Sequence, residues 1–348
     1  MKVLSNTLVV IRVDSSKEIG MGHLTRCLSI AKFIYDKGVD VMFLTQEEGT
    51  CLHVVEKGYQ SHKINEEEIF DVSQLSNCYE RFILIADINS KSIFKNRESY
   101  FSNLDLIRKN FQMLVTLEEL TDHPYCSDIV IIPYFGAYKI KLRECSNVVY
   151  LLGEKYFLLR DEFCNNDFKV QKLAKNILIT MGGSDPNRIS LKVLSALFVL
   201  SEEYKFHIVL GQASDISDSE LHHVMGNYKD CLMIYRNCSQ MSEVMMSCDI
   251  AITNSGLTKY ELAALGVPTI VISNNASQSK IDKIFSEFQS SIYLGVWKKL
   301  KKDKILEVCK ELLVDYDLRL RLSNNGKKLI GKKGLDGIWN AIIEKLDK

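Results

Sequence analysis

Residues 7–37 constrain this chain most. Thr7-Leu8-Val9-Val10-Ile11 is a short aliphatic run without an internal charge, the pattern of a strand buried on both faces. Leu24, Cys27, Leu28, Ala31 and Ile34 then recur at helical spacing, which predicts a helix over 22–37. Between them stand Gly20 and Gly22, with His23 directly at the mouth of the helix. Strand, glycine turn and helix start make an anion site, because the first N–H groups of a helix have no partner within it. Gly20 and Gly22 permit positive φ and close backbone approach. An uncharged imidazole beside such a turn can take a proton from water or a hydroxyl. The same residues also suit a plain helix cap with His23 packed in a crevice, and the motif alone leaves both readings open.

The strand–helix alternation continues. Strands are predicted at 40–45, 81–86, 112–116, 128–132 and 148–151, with helices near 50–57 and 91–109. Residues 160–175 are polar and poorly periodic, and read as a linker. The pattern then restarts, with strands at 176–181, 206–210, 232–235, 249–253 and 269–272. Helices are predicted near 189–200, 216–226, 239–247, 257–265 and 276–287, with two or three more after Lys302. Such alternation implies parallel strands with crossover helices, and chemistry in the loops at the strands' carboxyl ends. A chain of 348 residues accommodates two domains of roughly 150 each. The expected division is 1–160, 175–330, and a final segment 331–348 whose helix packs back on the first domain, with a cleft between the domains.

Lysine plus arginine and aspartate plus glutamate both number 44, so nothing in the charge balance calls for a nucleic-acid partner. The ten cysteines include no Cys-x-x-Cys pair and no ligand-like cluster with the seven histidines, which argues against a structural metal and a disulfide framework. The first strand follows Met1-Lys2-Val3 almost at once, leaving no room for a signal peptide, and no apolar run approaches the roughly 18 residues of a membrane span. The expected location is the cytoplasm; the oligomeric state is not legible. His222 and His223 read as solvated, the lysines of 298–302 as an exposed approach to a helix, and Trp297 and Trp339 as packing residues.

A second constellation lies downstream. Gly182 and Gly183 bare the backbone after a strand, and Ser184, Asp185 and Asn187 are capping residues. Farther on, Thr253-Asn254-Ser255-Gly256 ends a strand and leads through Leu257 and Thr258 into a helix. Its amides and hydroxyls suit a diphosphate. Glu261, about one turn into that helix, can accept both hydroxyls of a ribose through charge-assisted hydrogen bonds. Gly266 ends the helix and Pro268 opens the next strand.

Arg12-x-Asp14-x-Ser16 followed by Ile19-Gly20-x-Gly22-His23-x-x-Arg26-Cys27-Leu28 resembles the opening signature of the nucleotide-sugar hydrolases of the pseudaminic-acid pathway, which act on UDP-2,4-diacetamido-2,4,6-trideoxy-β-L-altropyranose. The related spore-coat polysaccharide proteins share it. Gly182 to Asp185 and Ser255 to Pro268 match the same group in order and spacing, so the resemblance covers nearly the whole chain. It implies an α/β, GT-B-like architecture, two Rossmann-like domains facing across a cleft, with the nucleotide held by the second. It implies His23 as the catalytic residue and Arg12, Asp14, Gly20 and Gly22 beside the substrate. Gly182, Gly183, Ser184 and the run from Asn254 to Thr258 would face the nucleotide phosphates, and Glu261 the ribose. It implies hydrolysis of a UDP-sugar by water attack at the anomeric carbon, without metal or cofactor. The chain departs from the group at two places. Asp87 is followed by Ile88-Asn89-Ser90 where a tyrosine is usual, and Ser277 precedes Gln278 where an asparagine is usual. Asn89, Ser277 and Gln278 therefore join the candidate substrate-binding residues. A glycosyltransferase of the same architecture is the alternative enzyme, and a nucleotide-sugar-binding subunit without catalysis the alternative outside enzymes.

Overall fold

The computed structural model describes residues 4, 6–15, 22–64, 72–75, 77–88, 108–117, 127–139, 147–164 and 168–347. They form two compact units, Met1–Leu159 with Lys333–Lys348, and Arg160–Lys332. No described helix is long and apolar enough to cross a membrane.

The first unit is built on a parallel sheet of seven strands: β1 (Thr7–Val13), β2 (Asp40–Thr45), β3 (Gln60–Lys63), β4 (Arg81–Asp87), β5 (Met113–Leu117), β6 (Ile129–Ile132) and β7 (Val149–Leu152). Their order is β3-β2-β1-β4-β5-β6-β7. The chain therefore works outward from β1 to one edge, then returns and continues on the other side of β1. All of β1 is buried, because alternate residues feed two cores. Val9, Ile11 and Val13 meet Leu24, Cys27, Ile30 and Ile34 of helix α1 (Gly22–Asp36), while Leu8 and Val10 pack with Phe82 and Leu84 on the opposite face. Each such side chain contributes about 1.5–3 kcal/mol relative to an exposed one. Helix α2 (Glu48–Glu56) follows β2.

The second unit repeats the plan with six parallel strands: β8 (Asn176–Thr180), β9 (Lys205–Leu210), β10 (Leu232–Arg236), β11 (Ile250–Asn254), β12 (Thr269–Ser273) and β13 (Ile292–Val296), in the order β10-β9-β8-β11-β12-β13. Its described helices are α3 (Asp161–Cys164), α4 (Ile189–Leu197), α5 (Asp218–Met225), α6 (Met241–Met246), α7 (Thr258–Leu265), α8 (Ala276–Glu287), α9 (Lys302–Val314) and α10 (Tyr316–Leu329). The final helix, α11 (Gly334–Leu346), lies in the first unit, where Ile338, Trp339 and Ile342 join the cluster around Val9 and Leu24.

Two strands have no counterpart in the sequence reading: β3 and β13, each an edge strand. β3 is Gln-Ser-His-Lys and mostly exposed, and β13 is half-buried with Gly295 at φ 114°. β3, facing solvent, lacks the continuous apolar run that marks a central strand, whereas β13 is the apolar Ile-Tyr-Leu-Gly-Val, interrupted by its glycine. The segment 160–175, polar and aperiodic, is fastened to the second unit. Arg319, fully buried, donates to the carbonyls of Gln171 and Lys172 and to those of Leu312 and Leu313 at the end of α9. Phe163 of α3 is fully buried, and Lys327 donates to the carbonyl of Phe168. The predicted helix near 91–109 falls almost wholly outside the described residues.

Gly183, in the turn after β8, lies against Gly211 after β9. A Cβ built on Gly211 would stand 2.3 Å from the Gly183 carbonyl oxygen, which itself accepts from the N–H of Ala213. Gly211→Ala therefore destabilises the protein by about 1–3 kcal/mol, measured by urea unfolding. Ordinary removal of a glycine without a clash would have the opposite sign.

Candidate functional site

A parallel sheet covered on both faces offers polar chemistry at the carboxyl ends of its strands, most of all where the strand order reverses. In the first unit that point lies between β1 and β4, whose registers end with Val13 beside Asp87. Asp87 is completely buried. Its Oδ2 accepts from Arg26 Nε, and its Oδ1 from Arg26 Nη2 at 2.5 Å, a two-pronged pair. His23, at the second position of α1, places Nδ1 2.7 Å from Oδ1 and 2.8 Å from Arg26 Nη2. The carboxylate is the nearer of the two neighbours of Nδ1, and with Nδ1–H donating to it the lone pair lies on Nε2, the tautomer a base requires. Arg26 Nη1 also donates to Tyr134 Oη at 3.0 Å. Burial by itself raises the Asp87 pKa. The charge and hydrogen bonds of Arg26, with those of His23, outweigh it and hold the carboxyl well below the usual range. The Cys27 thiol, 3.5 Å from Oδ2, is pushed well above its ordinary value by burial and by Asp87.

Arg12 and Asp14 lie just before this point and are occupied with each other. Arg12 Nη1 is 2.6 Å from Asp14 Oδ2, while Asp14 Oδ1 accepts from the N–H groups of Gln46 and Glu47. Ser15 is tied to Thr50 through its N–H, hydroxyl and carbonyl. These contacts fix the strand end against α2. Gly22 is the first residue of α1. Gly20 and Asn89 lie outside the described residues.

In the second unit the order reverses between β8 and β11, and the two glycine-bearing loops meet there. Asn254 Nδ2 donates to the Met181 carbonyl at 2.6 Å, and Asn254 Oδ1 accepts from Gly256 N–H at 3.0 Å. Gly182, at φ 77°, turns beside the same side chain. The helices that follow differ sharply. At α4 the N–H groups of Ile189 and Ser190 are taken by Asp185, at 2.8 and 2.9 Å; burial raises the Asp185 pKa against those two bonds. At α7 no side chain caps the start, and none of the described residues accepts from the N–H of Leu257, Thr258 or Lys259. One helix start is thus filled by the chain's own carboxylate and the other is open.

The remaining predicted residues divide in the same way. Ser184 lies in the turn after β8. Glu261, 8% exposed, has Oε1 held by Arg160 Nε at 2.9 Å, and that guanidinium also pairs with Glu162 and lies over the Phe163 ring. The Glu261 carboxylate is therefore anchored through one oxygen. Ser277 is exposed in the first turn of α8, which Asn275 caps through Gln278 N–H. Gln278 Oε1 is buried without a partner among the described residues. Asp87, Tyr134, Lys259, Arg160 and Asp282 escaped the sequence reading as site residues. Only Asp87 carries a signal, a lone acid ending an apolar run; the others act on partners far away in sequence.

Asp87→Asn and Arg26→Met each leave a buried partner uncompensated, and each lowers unfolding free energy by about 3–5 kcal/mol at pH 7. The double variant loses less than the sum. Because the native pKa of Asp87 is depressed below its unfolded value of about 3.9, its stabilisation is whole above that pH and fades below it. Urea unfolding from pH 7 to 3 should show the gap between wild type and Asp87→Asn narrowing once the pH falls below about 4.

Residues 176–316 match the model of the glycosyltransferase family 28 C-terminal domain. The chain is 30% identical over 292 residues to an uncharacterized protein of Methanocaldococcus jannaschii, covering 78% of this chain and 56% of that one. It is 23% identical to the spore coat polysaccharide biosynthesis protein SpsG of Bacillus subtilis, over 97% of this chain and 98% of that one. It is 25% identical to the pseudaminic acid cytidylyltransferase and UDP-2,4-diacetamido-2,4,6-trideoxy-beta-L-altropyranose hydrolase of Helicobacter pylori, over 97% of this chain but 56% of that protein. The chain thus spans little more than half the length of two of these relatives. Among solved structures, MurG of Acinetobacter baumannii aligns with a TM-score of 0.68 at 12% identity, over 97% of this chain and 99% of that one. The chain is therefore an α/β protein of the GT-B type, related to the spore-coat polysaccharide proteins and to the UDP-sugar hydrolases of the pseudaminic-acid pathway.

Proposed function

We propose that this chain is an enzyme that binds a UDP-linked diacetamido-trideoxy sugar and hydrolyses it to UDP and free sugar. The observation that carries the reading is the His23–Asp87 pair braced by Arg26 at the reversal point of the first sheet. In this reading Nδ1–H stays on Asp87 and Nε2 takes a proton from water as the water oxygen bonds to the anomeric carbon. The bond from that carbon to the diphosphate oxygen breaks, and UDP leaves with the electron pair. The second unit holds the nucleotide. The open amides of Leu257, Thr258 and Lys259 receive the diphosphate, where they stabilise the charge that develops on departure. The start of α4 does not take that role, since Asp185 already fills it. Glu261, anchored by Arg160, retains Oε2 for a ribose hydroxyl. The names of the Helicobacter pylori and Bacillus subtilis relatives support the choice of substrate and a place in surface-glycan biosynthesis.

A second reading is favoured by the match of residues 176–316 to a glycosyltransferase domain. There His23 deprotonates a hydroxyl of an acceptor sugar instead of water. Incubation with a panel of UDP- and CMP-sugars, with and without acceptors, separates the two: UDP released without any acceptor means hydrolysis, and turnover only on adding one means transfer.

His23→Ala is expected to keep UDP affinity while turnover falls by roughly 10²-fold or more; unchanged turnover removes His23 as the base. Glu261→Ala is expected to weaken UDP binding by about 1.5–3 kcal/mol, read by calorimetry, and an unaltered affinity takes Glu261 out of the site.

A further inference from the structure

Beneath the loop after β11 lies a buried polar cluster that the proposed reaction does not use. Asp282 of α8 is completely enclosed, as is nearly all of Lys259 in the first turn of α7. Asp282 Oδ1 accepts from Lys259 Nζ, and Oδ2 accepts from the hydroxyls of Ser255 and Ser273. Tyr293 Oη stands 3.3 Å from Ser273 Oγ and donates to Ser279 Oγ at 2.7 Å. The cluster thus joins the ends of β11 and β12 to α7, α8 and β13. A buried ion pair of this kind adds little net stability over an apolar pair of similar volume, so its presence calls for another reason.

That reason lies in which groups of the loop it consumes. Lys259 Nζ reaches the Ser255 carbonyl at 3.3 Å, so both the carbonyl and the hydroxyl of Ser255 are directed inward. Asn254 has already taken Gly256 N–H. Among the groups left over are the N–H groups of Leu257, Thr258 and Lys259. A serine hydroxyl carries one proton, and that of Ser255 is committed to a carboxylate.

We propose that Asp282 is the positioning residue of the nucleotide-binding loop, holding Ser255 and Lys259 so that the diphosphate meets backbone N–H groups and not the Ser255 hydroxyl. This rests on the reading that the second unit binds a nucleotide diphosphate. Asp282 never touches the nucleotide; it acts through the backbone of 255–259. Ser273, at the end of β12, shares the work although it lies outside the loop.

The test is UDP calorimetry and steady-state turnover on the whole chain. The variants are Ser255→Ala, Ser273→Ala, Asp282→Asn, Ser255→Ala with Asp282→Asn, and the apolar pair Lys259→Met with Asp282→Leu, which leaves no unpaired charge. Among variants that melt as wild type does, the Kd for UDP is expected to rise on the order of tenfold, the loss of one charge-assisted hydrogen bond. KM rises with it while kcat holds. Adding Ser255→Ala to Asp282→Asn is expected to change nothing further. If Asp282→Asn fails to fold, Ser273→Ala and the apolar pair carry the same comparison. Wild-type UDP affinity in a native-melting apolar pair overturns the proposal, because the cluster is then mere packing. So does a Ser255→Ala effect that adds in full to that of Asp282→Asn, because the hydroxyl then meets phosphate itself. Failure of the wild-type chain to bind UDP is a separate result, which overturns the nucleotide reading on which the proposal stands.

Discussion

A carboxylate with no exposure at all, flanked by a guanidinium and an imidazole, is the interaction on which the first unit's polar face depends. Asp87 could not remain charged there alone, since burial works against the anion. Arg26 reverses that balance and in doing so draws α1 onto the end of β4. His23, three residues earlier on the same helix face, is carried into place by the same pairing. The orientation of the imidazole is thus a by-product of neutralising a buried charge, and the ring is braced before any substrate arrives.

The second unit solves a similar problem differently. Its two loops at the reversal of strand order are joined by the amide of Asn254, which acts as donor to one and acceptor to the other. Of the two helix starts, one is closed by Asp185 and the other is left open. The close packing at this turn requires Gly211, whose Cβ would meet the Gly183 backbone, whereas a Cβ on Gly183 itself would meet nothing within 4 Å.

Much of the architecture was legible because central strands of parallel sheets are uniformly apolar. β1, β4, β8, β11 and β12 announce themselves in that way, and α1 does so by its spacing. The edge strand β3 did not, since it faces solvent and its polar sequence tolerates that; β13 is apolar but short, and Gly295 interrupts it. At the candidate site the glycine-rich turns and His23 were readable as local patterns. The partners of the carboxylates were not: Arg26 and Asp87 are 61 residues apart, Arg160 and Glu261 are 101, and no local spacing reports a contact of that range. Glu261 illustrates the cost of reading locally, for its helical position was clear and its arginine partner was invisible. Gly20 and Asn89 fall outside the described residues, so their expected roles stay with the proposal.

The last helix bears on how the molecule is made. Ile338, Trp339 and Ile342 complete a core whose other buried members come from residues 9–158. A ribosome therefore finishes the entire second sheet before it delivers the piece that the first one lacks. Until then the surface around Val9 and Leu24 is short of part of its cover, an apolar face exposed on the nascent chain.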